Sequence, residues 1–260
     1  MIRQKESQER RNIMLAEERF RKILAILQKK NSVTLSELTN ALDTSEATIR
    51  RDLTELDSQG LLVKVRGGAV SNDGAYDTLD EAVSVRQAVN LTEKKAIAAY
   101  AASLLRQGDF VYMDAGTTTE LMIDYITQKD ISFVTNAIGH AKKLTQKGYK
   151  VYILGGQFKL STEAIVGEDA IESLKKYNFT KGFFGVNGLN PVNGFTTPEA
   201  SEAAIKKESM RHCKEKFILA DKSKFSHISS VTFAEFTAAD IITDGASEKL
   251  LKEYDNIIVV

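Results

Sequence analysis

At 260 residues, with 35 basic and 35 acidic side chains, the chain is long enough for two domains, and its balanced charge argues neither for nor against nucleic acid. A single cysteine, Cys213, excludes an intramolecular disulfide, and with only His212 beside it no metal site is expected. No apolar run approaches the ~20 residues of a membrane span and residues 1–11 lack the apolar stretch of a signal peptide, so a cytoplasmic protein without a cofactor is expected.

Residues 1–16 are a polar extension without apolar periodicity and are expected to be poorly ordered, a basic arm on DNA phosphates being the alternative. Glu9-Arg10-Arg11 can be encoded by GAA-AGG-AGG, a purine-rich ribosome-binding sequence two codons before Met14. Met14 is therefore the expected initiator.

Residues 17–70 read as three helices and a hairpin. Phe20, Ile23, Leu24 and Leu27 form one apolar stripe, and Lys29-Lys30-Asn31 closes that helix with cations near the negative end of its dipole. Thr34-Leu35-Ser36-Glu37 is a capping-box pattern for a short second helix with Leu35, Leu38 and Leu42 inward. Ser45 is a good N-cap for a third helix from Glu46 to about Gln59, in which Ile49, Leu53 and Leu56 face the core. Thr48, Arg50, Arg51 and Thr54 are left to face outward or sideways, as a recognition helix in a major groove requires. Gly60 ends the helix. A short strand follows with Lys64 and Arg66 on one face before Gly67-Gly68, suited to a wing over phosphates. Thr34, Ser45, Glu46, Thr48, Arg50, Arg51, Lys64 and Arg66 are the expected DNA-contacting residues. A three-helix protein-docking module is the plainer alternative, against which the basic wing weighs.

Residues 71–90 contain polar turn material and little periodicity and read as a linker, partly helical near 81–88. Thr92 opens a long helix with Ala96, Ile97, Tyr100, Ala101 and Leu104 buried. Strands are then expected at 110–113, 132–135, 150–154, 182–186, 216–220, 240–243 and 256–260. Helices are expected at 119–126, 139–147, 167–177, 198–212 and 247–254. This alternation predicts an α/β domain, residues 91–260, with a mostly parallel sheet, whose ligands gather beyond the carboxyl ends of the strands.

The polar residues at those ends are the expected effector site. Asp114-Ala115-Gly116-Thr117-Thr118-Thr119 leaves a strand and enters a helix, offering glycine, hydroxyls and free amides to an anion without the Gly-Lys-Ser/Thr of a Walker loop. Asn136, Gly155-Gly156 and Asn187-Gly188 follow other strands, and Thr197-Pro198-Glu199 reads as an N-cap with proline at the first helical position. Asp221 offers a carboxylate to sugar hydroxyls, and Lys222 and Lys224 offer cations to phosphate. The expected ligand is a phosphorylated small molecule held by Asp114, Gly116, Thr117, Thr118, Thr119, Asn136, Gly156, Glu163, Asn187, Glu199, Asp221 and Lys224.

Thr48-Ile49-Arg50-Arg51-Asp52-Leu53, Leu56, Gly60 and Arg66-Gly67-Gly68-Ala69 resemble the signature of the DeoR family of repressors, with Asp52 in a structural role. The 114–119 run, Thr135-Asn136, Leu154-Gly155-Gly156, Glu163, Gly167 and Asp221-Lys222-Ser223-Lys224 resemble that family's sensor domain, similar in fold to ribose-5-phosphate isomerases. Asp114-Ala115-Gly116, Gly182-Phe183-Phe184-Gly185, Gly194-Phe195-Thr196-Thr197-Pro198 and Ser229-Ser230-Val231-Thr232-Phe233 resemble repressors of fructose operons from low-GC Gram-positive bacteria. The resemblance implies a winged helix-turn-helix repressor of a sugar-utilisation operon, released from operator double-stranded DNA by a sugar phosphate such as fructose 1-phosphate. One winged module covers little DNA, so a homo-oligomer, dimer or tetramer, is expected.

Regulation by another sugar or polyol phosphate stays open, and a sugar-phosphate isomerase is the competing class. Such an enzyme needs a positioned carboxylate base. Gly185-Val186-Asn187-Gly188 offers amide and glycine where those isomerases carry acids, although Glu163, Glu199 and Asp221 remain available, and an isomerase has no use for a helix-turn-helix.

Overall fold

A computed structural model describes residues 16–30, 32–58, 61–65, 67–71, 76–77, 86–87 and 89–260. The chain divides into two units between Ala75 and Tyr76. The expectations for residues 1–13, Met14, Gly60 and Arg66 lie outside the described residues, as does most of 71–90.

In the N-terminal unit, helices Ala16–Lys30, Leu35–Leu42 and Glu46–Ser58 precede an antiparallel hairpin, Leu62–Val65 with Gly68–Ser71. Their apolar stripes meet in one core of Ile23, Leu27, Leu35, Leu38, Leu42, Ile49, Leu53, Leu56 and Leu62. A third strand, Ser32–Thr34, pairs with Gly68–Ser71 and was not expected from periodicity. It explains the glycine pair. Gly67 has φ +97°, and a Cβ on Gly68 would lie 2.0 Å from the Val33 carbonyl oxygen, so only glycine lets the wing close on this strand.

The C-terminal unit is built on a seven-stranded parallel sheet in the order Ile257–Val259, Asp240–Thr243, Cys213–Leu219, Phe179–Gly185, Phe110–Met113, Ser132–Thr135, Lys150–Ile153. Alternate side chains serve opposite faces, as the pleat dictates. Val111, Met113, Phe133, Phe183 and Phe217 pack with Ile97, Ala98, Ala101 and Met122 on one side. Tyr112, Val134, Phe184 and Ile218 pack with Ala170, Leu174, Ala203 and Ile205 on the other. The chain runs outward from Phe110–Met113 to Lys150–Ile153, then returns to lay Phe179–Gly185 on the other side of Phe110–Met113. The order therefore reverses between these two strands, the place where open α/β sheets leave a crevice.

All seven strands lie within a few residues of their expected positions. The helices are Leu91–Ser103, Thr117–Tyr125, Ile138–Gln146, Glu168–Leu174, Ala200–Arg211 and Glu248–Glu253. Several features depart from expectation, the hairpin Gln157–Lys159/Ala164–Val166 and the exposure of Ala96 among them. Thr197 does not cap a helix: it ends the strand Gly194–Thr197, and the helix begins at Ala200 with Glu199 in the cap position and no side-chain cap bond. Gly188–Asn190, Gly194–Thr197 and Val231–Ala234 form a separate small sheet, and pairing with Val231–Ala234 holds Thr197 extended. Within the span expected to be linker, Tyr76–Asp77 pairs with Ile228–Ser229, so those two residues belong to the sheet-bearing unit.

Candidate functional site

The third helix of the N-terminal unit is anchored from beneath. Ser45 Oγ accepts from the Thr48 amide at 3.3 Å and lies 2.9 Å from Thr48 Oγ1, and the Thr34–Glu37 capping box forms in full one helix earlier. Its bonds hold the Glu37 carboxyl down to about 2: the Thr34 amide donates to it, and so does Lys30. Glu46 ion-pairs Arg50 at 2.5 Å, whereas Arg51 is exposed one residue further round the helix. Lys64 Nζ donates to Thr54 Oγ1 at 2.6 Å, which ties the first wing strand to the second half of this helix. Thr34 and Ser45 thus have their hydroxyls engaged in caps, while Arg51 and Lys64 present charge on the unit's surface.

In the C-terminal unit a cleft opens where the strand order reverses. Ala115, Gly116, Thr117 and Thr118 come from the turn after Phe110–Met113, and Gly185, Val186 and Asn187 from the end of Phe179–Gly185. Asp221 and Lys224 follow the next strand. The cleft encloses about 680 Å3 of empty space, its open mouth included. The first-turn amides of Thr117–Tyr125 have no intrahelical acceptor and carry the positive end of its dipole.

Six further residues complete the lining, apolar Val89 and Leu219 and four charged ones that were not expected at the site from the sequence: Arg86, Lys94, Glu202 and Lys206. Lys94 and Lys206 are only 5% and 6% exposed. Lys206 Nζ bonds the buried Asp114 carboxylate and donates to the Gly185 carbonyl at 2.9 Å; Lys94 Nζ donates to the Arg86 carbonyl at 2.5 Å and to Thr117 Oγ1 at 3.3 Å. Two buried ammonium groups therefore flank one helix N-terminus. Glu202 is answered by Lys159 at 2.8 Å; burial raises its pKa, but the Lys159 bond and the Lys206 charge outweigh it and leave the carboxyl below its ordinary value. Asp221 accepts from Asn90 Nδ2 at 3.0 Å and the Ser223 amide at 3.1 Å. The lining sets four cations, Arg86, Lys94, Lys206 and Lys224, against the two carboxylates of Glu202 and Asp221, with Asp114 behind Lys206.

The remaining expected residues fall elsewhere. Asp114 lies behind the wall, 2% exposed, locking Lys206 and the Gly185 amide in place. Thr119 points inward: its Oγ1 lies 2.7 Å from the Asp114 and Gly116 carbonyl oxygens and 3.1 Å from His140 Nε2. Asn136 is buried between Tyr112 OH and the Ile165 carbonyl and holds the hairpin Gln157–Lys159/Ala164–Val166. Gly156 packs on that hairpin, where a Cβ would lie 2.6 Å from the Val166 carbonyl oxygen. Glu199 pairs with Lys159 at 2.9 Å, away from the lining. Glu163 lines an adjoining chamber with Glu120, His140, Thr162 and Gly139.

The missed lysines had a sequence signal. Lys94 precedes Ile97, Ala98 and Ala101 by three, four and seven residues, and Lys206 stands in register with Glu202 and Ser209. A lysine on the buried stripe of a helix has to meet a partner or a ligand.

A winged helix-turn-helix in one chain with a parallel α/β domain is the build of a transcription regulator. Residues 19–75 match the DeoR-like helix-turn-helix domain and residues 89–245 the DeoR C terminal sensor domain. The chain belongs to the DeoR family of transcription regulators. It is 41% identical to the uncharacterized HTH-type transcriptional regulator FruR of Bacillus subtilis (strain 168), over 95% of this chain and 98% of that protein. It is 31% identical to the lactose phosphotransferase system repressor of Streptococcus mutans, over 94% of this chain and 100% of that one. Among solved structures, it is similar to ribose 5-phosphate isomerase A of Methanocaldococcus jannaschii with 15% identity and a TM-score of 0.38, over 52% of this chain and 55% of that one.

Proposed function

We propose that the chain represses a sugar-utilisation operon by binding operator DNA through the recognition helix and wing, and that a phosphorylated sugar in the cleft releases it. The observation that carries this reading is the convergence of buried Lys94 and Lys206, with Lys224, on the N-terminus of Thr117–Tyr125. Asp114 and the Gly185 carbonyl hold Lys206, and the Arg86 carbonyl and Thr117 hold Lys94; a phosphate dianion at this helix N-terminus meets a lining that carries more cations than carboxylates. Asn187 and Asp221 on the same wall supply an amide and a carboxylate for sugar hydroxyls. Gly116, Thr117 and Thr118 approach the phosphate with backbone and hydroxyl.

Fructose 1-phosphate is the proposed ligand, the one that the resemblance of Asp114-Ala115-Gly116 and Gly194-Phe195-Thr196-Thr197-Pro198 to fructose-operon repressors implies. The likeness to lactose phosphotransferase system repressors favours a second reading, in which another sugar phosphate takes the same place. In either case the chain acts as a homo-oligomer in the cytoplasm on repeated half-sites and catalyses nothing. A ligand preferring the DNA-free conformation a hundredfold shifts the equilibrium by about 2.7 kcal/mol per site.

The test is fluorescence anisotropy of promoter DNA bound by the full chain, titrated with fructose 1-phosphate, fructose 6-phosphate, glycerol 3-phosphate and tagatose 6-phosphate. Release by fructose 1-phosphate alone is the expected result. Release by another compound replaces the sugar, and absence of specific DNA binding overturns the function.

A further inference from the structure

The chain leaves the N-terminal unit at Ala75, so any signal carried along the backbone between the units passes through the residues that follow. Where those residues are described, they are tied to the effector cleft. Tyr76–Asp77 pairs in parallel with Ile228–Ser229, just after the turn Lys222–Ser226 that carries Lys224. Arg86 and Val89 form part of the cleft lining. Lys94 Nζ donates to the Arg86 carbonyl at 2.5 Å, and Asn90 Nδ2 donates to Asp221 Oδ1 at 3.0 Å and to Ser223 Oγ at 3.3 Å.

Asn90 stands in the N-cap position of Leu91–Ser103, where an asparagine side chain ordinarily accepts from an amide of the first turn, yet it makes no such bond. Its backbone is left-handed, φ +52°, a conformation that asparagine tolerates better than most residues. The side chain reaches instead to a carboxylate 131 residues away. Two holds on the linker therefore come from Lys94 and Asp221, buried at 5% and 2% exposure, the same groups that face phosphate and sugar hydroxyls in the proposed site. The two duties compete. A phosphate dianion attracts the Lys94 ammonium more strongly than the neutral Arg86 carbonyl does. Asp221 Oδ1 already accepts from Asn90 and from the Ser223 amide and hydroxyl. A sugar hydroxyl arriving there displaces Asn90 more readily than the two donors of its own turn.

We infer that residues 76–94 relay the effector's arrival to the DNA-binding unit: the ligand draws Lys94 from the Arg86 carbonyl and Asp221 from Asn90, and so unclasps the linker. This rests on the cleft being the effector site. Two DNA-binding units must occupy two half-sites at once, and a clasped linker meets that demand with less loss of freedom than a loose one. Without ligand the clasp stays closed, because the Lys94 bond and the pairing of Tyr76–Asp77 hold it beside Asn90. Weakening one hold leaves the open state a minor one but lowers the ligand concentration that makes it dominant.

The test uses the full chain and whichever of the four sugar phosphates above releases operator DNA, fructose 1-phosphate being expected. Hydrogen–deuterium exchange of the native protein at residues 76–94 should become at least threefold faster with the ligand. Asn90→Gly keeps the left-handed backbone and removes the side-chain amide. By anisotropy it should bind the operator within twofold of the native affinity and release it at a ligand concentration at least threefold lower. A variant that merely damaged the cleft would need more ligand, as Asp221→Ala does. Exchange that the ligand leaves unchanged or slows overturns the inference, and so does an Asn90→Gly protein that needs as much ligand as the native one or more. Should Asn90→Gly not fold, the exchange of the native chain decides alone. In those cases the sugar phosphate still releases the native protein, so the effector site stands; if none of the four releases it, the functional reading fails and the inference with it.

Discussion

Arg19 and Asp52, 33 residues apart, meet in a two-pronged ion pair: Arg19 Nε donates to Asp52 Oδ2 at 2.7 Å and a terminal guanidinium nitrogen donates to Oδ1 at 2.9 Å. Asp52 follows the Arg50-Arg51 pair on the recognition helix, and Arg19 lies in the first helix. Both side chains are largely buried, at 14% and 7% exposure. The aspartate amid the arginines therefore faces inward and sets the rotation of the helix that displays them.

Removing one partner strands the other charge. Asp52→Ala should cost about 3 kcal/mol in the N-terminal unit, and Arg19→Met with Asp52→Leu together should cost less than the single change. Thermal unfolding followed by circular dichroism measures this; equal losses for single and double variants would contradict the geometry.

The two arginines of the recognition helix should behave differently. Arg51→Ala should weaken specific operator binding by about 1–3 kcal/mol while the ligand's affinity for free protein stays as it was. Glu46→Gln frees Arg50 from its 2.5 Å ion pair and should raise binding to non-specific DNA at low salt. Anisotropy on operator and scrambled duplexes at two salt concentrations separates the effects.

The effector site gives the complementary outcome. Asp221→Ala or Lys224→Ala should raise the sugar phosphate concentration needed for DNA release at least tenfold and leave operator affinity without ligand intact. An Asp221→Ala protein that releases DNA at the ordinary ligand concentration would remove this residue from the site.

His140 makes stability depend on pH. Its pKa falls from 6.5 to about 4 on folding, burial being the largest cause, so between these values the unfolded chain binds the extra proton. Its contribution is fully present above about pH 6.5 and is lost as pH falls toward 4. The loss is roughly 3 kcal/mol over that window. Denaturant unfolding from pH 7 to pH 4.5 should show the decline, and His140→Asn should flatten it.

Local chemistry made much of this protein legible. The capping box at Thr34, the cap at Ser45 and the stripe of Ile49, Leu53 and Leu56 are interactions within a few residues, so the helix-turn-helix follows from spacing alone. The central strands are apolar runs bounded by polar turns, and they lie where their residues predict. The hairpin Gln157–Lys159/Ala164–Val166 was not visible, because strands of three residues carry too little periodicity. Thr197 looked like a cap because Thr-Pro-Glu satisfies local capping rules, yet strand pairing with Val231–Ala234 took precedence.

By itself, then, the sequence determined two domains, a recognition helix with its arginines, and a parallel α/β unit with Asp114, Thr117, Asp221 and Lys224 near one rim. Only the tertiary structure decided which rim residues form the cleft. Asn136 and Gly156 turned out to hold a hairpin, while Lys94, Lys206 and Arg86 came in from two helices and the segment before them. The reason is the reversal of strand order between Phe110–Met113 and Phe179–Gly185. It brings residues about 70 to 130 positions apart to one crevice, and no pattern of neighbours along the chain encodes that distance.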